Sequence, residues 1–467
     1  MSADSLESRF LPFRQLMLRE GLPEIVVDTF RHNYAQLLAG ATGLIPETEI
    51  SPVDSLPDAE KFGDEFSDVG QQAMGRTAVI KLNGGLGTSM GLERAKSLIR
   101  VKQGLSFLDI IARQALIQGT PLILMNSFAT RADTLEVLRG YPELGRRQVA
   151  MDFVQHKVPK IDQRNLAPVS WPAAPQLEWA PPGHGDIYTA LVTSGMLDTL
   201  LTSGYRYAFI SNSDNLGAVL DPCLLGYFVN KGMPFLMEVA NRTETDRKGG
   251  HLALAASGQL MLRESAQCPA QDLGFFQDIR RHRFFNTNNL WLDLQALKHT
   301  LEARHQVLGL SLIRNSKTVD PRDETSTPVY QLETAMGSAI SCFDNAGAVR
   351  VPRSRFAPVK TTNELMVVGS DAYSLTRDYR IVLNERLNGH IPVVELDRRF
   401  YRLIDAFEAR FNDGIPSLAA CTALSISGDI KFGAGVAIHG RVALHNTGAN
   451  QVEIEPRSVI DGDLSWA

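Results

Sequence analysis

At 467 residues the chain exceeds what one ordinary hydrophobic core supports, so two or three domains are expected. Hydrophobic content of 44% and charged content of 21% exclude wholesale disorder. The balance of 47 Lys+Arg against 52 Asp+Glu, a formal charge of −5, argues against a nucleic-acid footprint but leaves room for a local basic pocket. Cys223, Cys268, Cys342 and Cys421 form no Cys-x-x-Cys pair, which speaks against zinc or a disulfide framework and for a reducing, cytoplasmic compartment. Asp4 and Glu7 precede the first apolar run, unlike the basic start of a signal peptide. No apolar stretch reaches the roughly 18 residues of a membrane span.

In chain order, Leu11, Leu16, Leu22, Ile25, Val26, Phe30, Tyr34 and Leu37 recur at helical spacing and predict helix over residues 1–45. Residues 46–74, with Pro46, Pro52 and Pro57, read as a polar linker, so 1–74 forms an N-terminal helical segment and linker. From Thr77 the texture changes. Ala78–Leu82, Pro121–Met125, Tyr207–Ser211 and Pro234–Val239 are short apolar runs of strand character, with helix-like Ser106–Gln118 and Ile187–Ser203 among them. This alternation predicts an α/β catalytic domain over 75–375, with a mostly parallel central sheet flanked by helices. Ligands of such sheets bind beyond the carboxyl ends of the strands. Residues 376–423 are predicted as a helical connection. From Leu424, apolar residues punctuated by Gly428, Gly433, Gly435, Gly440, Gly448 and Gly462 predict a short C-terminal β-solenoid over 424–467, with a β-meander as the alternative.

The loop LNGGLGTSMG, Leu82–Gly91, follows a predicted strand. Gly84, Gly85 and Gly87 remove Cβ atoms where backbone must approach a ligand, and successive amides there can cradle phosphates. A tight strand-to-helix turn would use the same glycines. No Gly-Lys-Ser/Thr follows, so this is not a Walker loop, and Gly91 falls one residue late for the dinucleotide fingerprint. Lys96 follows within reach of phosphates held by the loop. Asp214, in SNSDN at the end of a strand, suits a hard cation held together with phosphates, or alternatively an Asx turn. In PPGHGD, Gly183 and Gly185 permit close approach, and His184 offers a donor to a phosphate or hydroxyl. FNTNNLW supplies neutral amides from Asn286, Asn288 and Asn289 for hydroxyl recognition or for a strand turn. Lys360 follows a Pro-rich approach, with Arg353 and Arg355 nearby to shape the field or to pair with acids such as Glu333.

LNGGLGTSMG with Lys96-Ser97, then LMNSF (124–128), PPGHGD (181–186), SNSDNLGA (211–218), KGG (248–250), FNTNNLW (285–291), QLETAMG (331–337) and VPRSRFAPVKTT (351–362), resemble in order the eukaryotic-type UTP–glucose-1-phosphate uridylyltransferases. The likeness covers roughly residues 77–375 and continues into the C-terminal segment. It departs at Arg94-Ala95, where the family commonly has Gly-Pro before the lysine. The resemblance implies a Rossmann-like nucleotidyltransferase domain followed by a left-handed β-helix-like solenoid. It implies uridylyl transfer from UTP to glucose 1-phosphate with Mg²⁺, and the following site. Lys360 and Lys96 are catalytic. Leu82, Asn83, Gly84, Gly85, Gln155, Gly183 and Asp214 hold the nucleotide, with Gln155 on the uracil edge. His184, Asn212, Asn288 and Asn289 hold the sugar phosphate, and Asp214 holds the metal. No nucleic acid or membrane partner is expected, and self-association through the C-terminal domain is possible. Relatives acting on N-acetylhexosamine 1-phosphates or on several sugar phosphates share this machinery, and a catalytically silent nucleotide binder would have lost Lys96, Asp214 or Lys360.

Overall fold

The computed structural model describes residues 3–146 and 149–467. Met1 and Ser2, at the start of the predicted N-terminal segment, and Arg147 and Gln148 within the predicted catalytic domain, lie outside the described residues. The N-terminal prediction of helix takes the form of α1 (Ala3–Arg19) and α2 (Glu24–Leu38). Phe10, Phe13, Phe30 and Tyr34 join there in one aromatic cluster against Val158, Ile161, Leu312 and Leu332. The stretch read as a linker is more ordered than predicted. It holds β1 (Ile50–Pro52) and α3 (Asp64–Met74). Gly70 of α3 faces Gly226 at backbone contact distance, which is why a glycine-bearing polar segment forms a packed helix.

Among the described residues, ten strands form the central sheet. They include β2 (Thr77–Asn83), β3 (Leu122–Asn126), β4 (Asp152–Val154), β5 (Tyr207–Asn212), β6 (Phe235–Asn241), β7 (His251–Ala255), β8 (Leu260–Arg263), β9 (Phe284–Asp293) and β10 (Gly347–Arg350). The order runs β1-β7-β9-β5-β2-β3-β4, with β6 joining β9 to β10 and β8 beside β7. The sheet is mixed, not mostly parallel. β5, β2, β3 and β4 are parallel, but β9 runs antiparallel to β5, β6 and β7. An apolar run buried on both faces reads the same in either direction, so sequence texture did not reveal the reversal.

Strand alternation sends Val79, Leu124 and Phe209 into one core and Ala78, Ile80 and Ile210 into the other. Helices α4 (Phe107–Gln118), α6 (Pro222–Asn230) and α7 (Thr362–Gly369) cover the first face, and α5 (Ile187–Thr193) the second. Ser106 caps α4 through a reciprocal pair with Asp109. The predicted helix 187–203 is interrupted at Gly195, where φ is +71°.

The C-terminal strands begin earlier than predicted. β11 (Val393–Leu396), β12 (Ser417–Ser427), β13 (Ile430–Phe432), β14 (Ala437–Asn446), β15 (Val452–Ile454), β16 (Val459–Ile460) and β17 (Leu464–Trp466) pair only in parallel, unlike a meander. The stretch 376–423 is therefore not simply a helical connection. Short helices Arg398–Tyr401 and Ile404–Arg410 lie between β11 and β12, and Ile381–Leu383 is a further strand. Leu418, Ile426, Ile438 and Leu444 extend the first core without a break.

Candidate active site

β2, β3 and β5 end side by side, with Leu82 opposite Asn212 and Met125, and Asn83 opposite Asn126. Beyond β2 the glycine-rich loop folds back on itself. Leu86 bridges Ala95, Gly87 N–H donates to the Arg94 carbonyl (3.4 Å), and Lys96 N–H donates to the Gly85 carbonyl (3.1 Å). This return brings Lys96 Nζ to 2.5 Å from Asp214 Oδ2, in the loop after β5. Asp214 Oδ1 is buried and has no hydrogen-bond partner among the described residues.

Lys360 arrives from far along the chain. Val359 N–H donates to the Asp214 carbonyl (3.2 Å), Ala357 N–H to Asn215 Oδ1 (2.9 Å), and Asn215 bridges Pro358. Thr361 then caps α7, its own N–H bonded to Glu364. The Lys360 side chain is exposed and makes no hydrogen bond or ion pair with a described residue. Its field reaches the Glu264 carboxyl, which burial pushes above the usual range while Asn286 and Lys360 oppose that rise.

Gln155 follows β4, and its N–H donates to the Asn126 carbonyl (2.8 Å). Its amide lies over Gly84, where a Cβ would meet Gln155 Oε1 at 2.8 Å. Gly183 has φ +81°, and a Cβ there would come within 2.4 Å of the Thr334 carbonyl, so the PPGHGD loop presses onto the QLETAMG segment. Met336 N–H donates to His184 Nδ1 (2.9 Å), which places the imidazole hydrogen on Nε2. Burial pulls the His184 pKa down to about 4, so the ring is a neutral donor at physiological pH. Asp186 accepts from the His156 backbone N–H (2.7 Å) and contacts Nδ1 (2.9 Å), joining the Gln155 segment to the PPGHGD loop.

Three predicted residues are placed differently from the rest. The Asn83 amide is buried and donates to Asn126 Oδ1 (2.8 Å) and Thr134 Oγ1 (2.9 Å), and Leu82 lies in the second core. Asn289 is fully buried: its nitrogen donates to Glu238 Oε2 (3.0 Å) and the Arg355 carbonyl (3.2 Å), and its oxygen accepts from Asn215 (3.2 Å). Its amide is therefore spent inside the protein, not turned to a sugar. The cause is a bulge between Glu238 and Val239 of β6, which pair with Asn289 and Asn286. Thr287 and Asn288 are the extra residues, and Asn288 takes φ +58°. Asn288 stays half-exposed, linked to Asn286 (2.9 Å). Asn212 ends β5 half-buried, and its side chain makes no hydrogen bond with a described residue.

Glu238, which the sequence reading passed over, organises the floor. It accepts from Arg355 Nε and Nη2 (2.7 Å each), Asn289 and Trp291 Nε1 (2.9 Å). Arg353 pairs with Asp246 (2.6 Å), so neither arginine pairs with Glu333. A lone acid inside the apolar run FLMEVA was the available signal for such a buried ion.

A family model described as UTP–glucose-1-phosphate uridylyltransferase matches residues 27–439. The chain belongs to the UTP–glucose-1-phosphate uridylyltransferase family. A probable UTP–glucose-1-phosphate uridylyltransferase of Schizosaccharomyces pombe is 39% identical over 404 residues, 85% of this chain and 78% of the relative. The uridylyltransferase of Solanum tuberosum is 37% identical, over 89% of this chain and 84% of its own. A mutant UDP-glucose pyrophosphorylase from Leishmania major, solved in complex with UDP-glucose, superposes with TM-score 0.91 at 43% identity, over 100% of this chain and 99% of the other. A UDP-glucose phosphorylase from Trypanosoma brucei gives 0.87 at 45% identity, over 98% and 100%. As a uridylyltransferase family member the chain is a nucleotidyltransferase-type enzyme. No helix among the described residues is long and apolar enough to cross a membrane.

Proposed function

We propose that the chain transfers the uridylyl group of UTP to α-D-glucose 1-phosphate, giving UDP-glucose and pyrophosphate. The observation that carries this reading is the meeting of Lys96, Asp214 and the unpaired Lys360 beyond the ends of β2 and β5, beside Gln155 over Gly84. A phosphate oxygen of the sugar attacks the α-phosphorus in line, the bond to the bridging oxygen breaks, and pyrophosphate leaves. The nucleophile is already an anion, so the protein's task is positioning and charge neutralisation. Gln155 reads the uracil edge through one donor and one acceptor. Gly84, Gly85 and Gly183 let backbone approach the nucleotide, and Leu82 and Asn83 hold that loop from below. Lys96 exchanges Asp214 for the UTP tail. Lys360 bridges the attacking phosphate and the α-phosphate. Neutral His184 donates from Nε2 to the sugar phosphate, Asn212 and Asn288 meet sugar hydroxyls, and Glu264 accepts from one. Asn289 serves as scaffold.

The residues fit a magnesium ion. Asp214 Oδ1 is an orphaned buried oxygen beside the lysines proposed to meet the phosphates. That is the setting of a cation held by one carboxylate together with substrate phosphates. Bound there, Mg²⁺ would neutralise phosphate charge.

We read residues 1–74, 75–375 and 376–467 as N-terminal, catalytic and C-terminal parts. For the last, the parallel pairing from Val393 onward supports the reading of a solenoid that serves self-association. Four free cysteines suit a cytoplasmic setting. The deciding experiment is pyrophosphate release from UTP with a panel of sugar 1-phosphates, with and without Mg²⁺. Preference for glucose 1-phosphate and loss with EDTA are expected. Activity in thoroughly chelated enzyme refutes the metal, and preference for an N-acetylhexosamine 1-phosphate refutes the sugar.

A further inference from the structure

Lys81 lies on β2, three residues before Gly84, and is paired in register with Ser211 of β5. Alternation turns it toward Val79 and Phe209, and it is only 2% exposed. Its ammonium donates to Ser211 Oγ (2.7 Å) and the Ala218 carbonyl (2.7 Å), and lies 5.8 Å from the Phe209 ring centroid. No carboxylate among the described residues pairs with it directly. Burying an ammonium among neutral oxygens is unfavourable, and an apolar side chain of the same length would fill this space at less cost. Packing therefore does not account for a lysine here. What the ammonium does is close a loop: Ser211 opens and Ala218 ends the segment that carries Asp214.

We propose that Lys81 is a positioning residue for uridylyl transfer, clamping residues 211–218 so that Asp214 presents its unpaired oxygen toward the phosphates. This rests on the assignment of Asp214 made above. Lys81 touches no substrate position itself; it acts through the loop. Burial draws its pKa down to about 7, Arg355 adds to that fall, and Glu238 and Asp214 oppose it. The clamp thus depends on the same buried charges that floor the site.

The test compares Lys81→Met, Asp214→Asn and the double variant, by steady-state kinetics, Mg²⁺ titration and hydrogen exchange over 211–218. Lys81→Met is expected to lower kcat by roughly 10- to 100-fold, the scale of a misplaced reacting group. It should raise the half-saturating Mg²⁺ concentration, leave KM for glucose 1-phosphate unchanged, and speed exchange in 211–218 while the sheet stays protected. Because Lys81 acts through Asp214, the double variant should be no worse than Asp214→Asn. Additive losses overturn the proposal, as does normal kcat in Lys81→Met beside a crippled Asp214→Asn. Normal turnover and metal titration in Asp214→Asn overturn the site reading itself. Should Lys81→Met not fold, Ser211→Ala removes one arm of the clamp and should speed the same exchange; unchanged exchange overturns the proposal.

Discussion

Gly84→Ala tests the proposed base-reading contact directly. Gly84 does not occupy the left-handed region, so alanine is tolerated by the backbone. The added Cβ would stand 2.8 Å from Gln155 Oε1 and 3.0 Å from Cδ and Nε2, where ordinary van der Waals contact begins near 3.4 Å. Gln155 cannot retreat as a whole, because its N–H is bonded to the Asn126 carbonyl. The amide must swing by its side-chain torsions and leave the uracil edge. A polar group left unpaired costs about 1–3 kcal/mol, which is roughly 5- to 150-fold at 1.4 kcal/mol per decade. The contact acts equally on bound UTP and on the transition state, so the loss belongs to KM for UTP, with kcat little changed. Discrimination between UTP and CTP should narrow as well. The assay is steady-state kinetics with each nucleotide at saturating glucose 1-phosphate. A folded Gly84→Ala enzyme with unaltered KM for UTP and unaltered preference over CTP refutes the argument.

The two site lysines should separate kinetically. Lys360→Ala lowers kcat by roughly 10²- to 10³-fold, on the scale of one preorganised donor, whereas Lys96→Ala acts chiefly on KM for UTP and, in reverse, for pyrophosphate; equal effects of the two in both directions would contradict their roles. Glu238→Ala leaves the largely buried Arg355 guanidinium with only the Val219 carbonyl and a distant Asp221 (3.9 Å) and should cost about 3 kcal/mol, read as a lowered urea midpoint, and a loss below about 1 kcal/mol would remove Glu238 from the floor. His184 adds an acid sensitivity. Its pKa falls from 6.5 unfolded to about 4 folded, so the unfolded chain takes up a proton that the native state refuses, and stability falls as pH drops from about 6.5 to about 4, by about 3 kcal/mol at 1.36 per unit. Above pH 6.5 this contribution is level. Thermal unfolding of wild type and His184→Leu across that range should show a smaller acid loss in the variant; parallel curves exclude the effect.

Local composition made much of the site readable. LNGGLG at the end of an apolar strand, the glycines of PPGHGD and the acid of SNSDN each lie where a strand gives way to a loop, and the fold gathers them. Interactions between distant strands were not readable. The bulge that divides Asn288 from Asn289 depends on which residues of β6 oppose them, and nothing local to FNTNNLW specifies that. The antiparallel course of β9 is hidden for the same reason. Lys81 within AVIKL and Glu238 within FLMEVA look like interruptions of strands until their partners 130 and 117 residues away are known. The C-terminal sheet began earlier than expected because VVEL is too short to stand out before β12 is placed beside it.

The bond from Ala357 to Asn215 joins segments 142 residues apart. At translation rates of about 5–20 residues per second, the Asp214 loop is made on the order of ten seconds before the segment that carries Lys360 to it. Until then one half of the proposed phosphate-binding surface exists without the other. A growing chain thus completes its glycine-rich loop while still lacking the lysine proposed to bridge the two substrates. Under the role proposed for Lys360, full turnover becomes possible only once about three quarters of the 467-residue chain has been made.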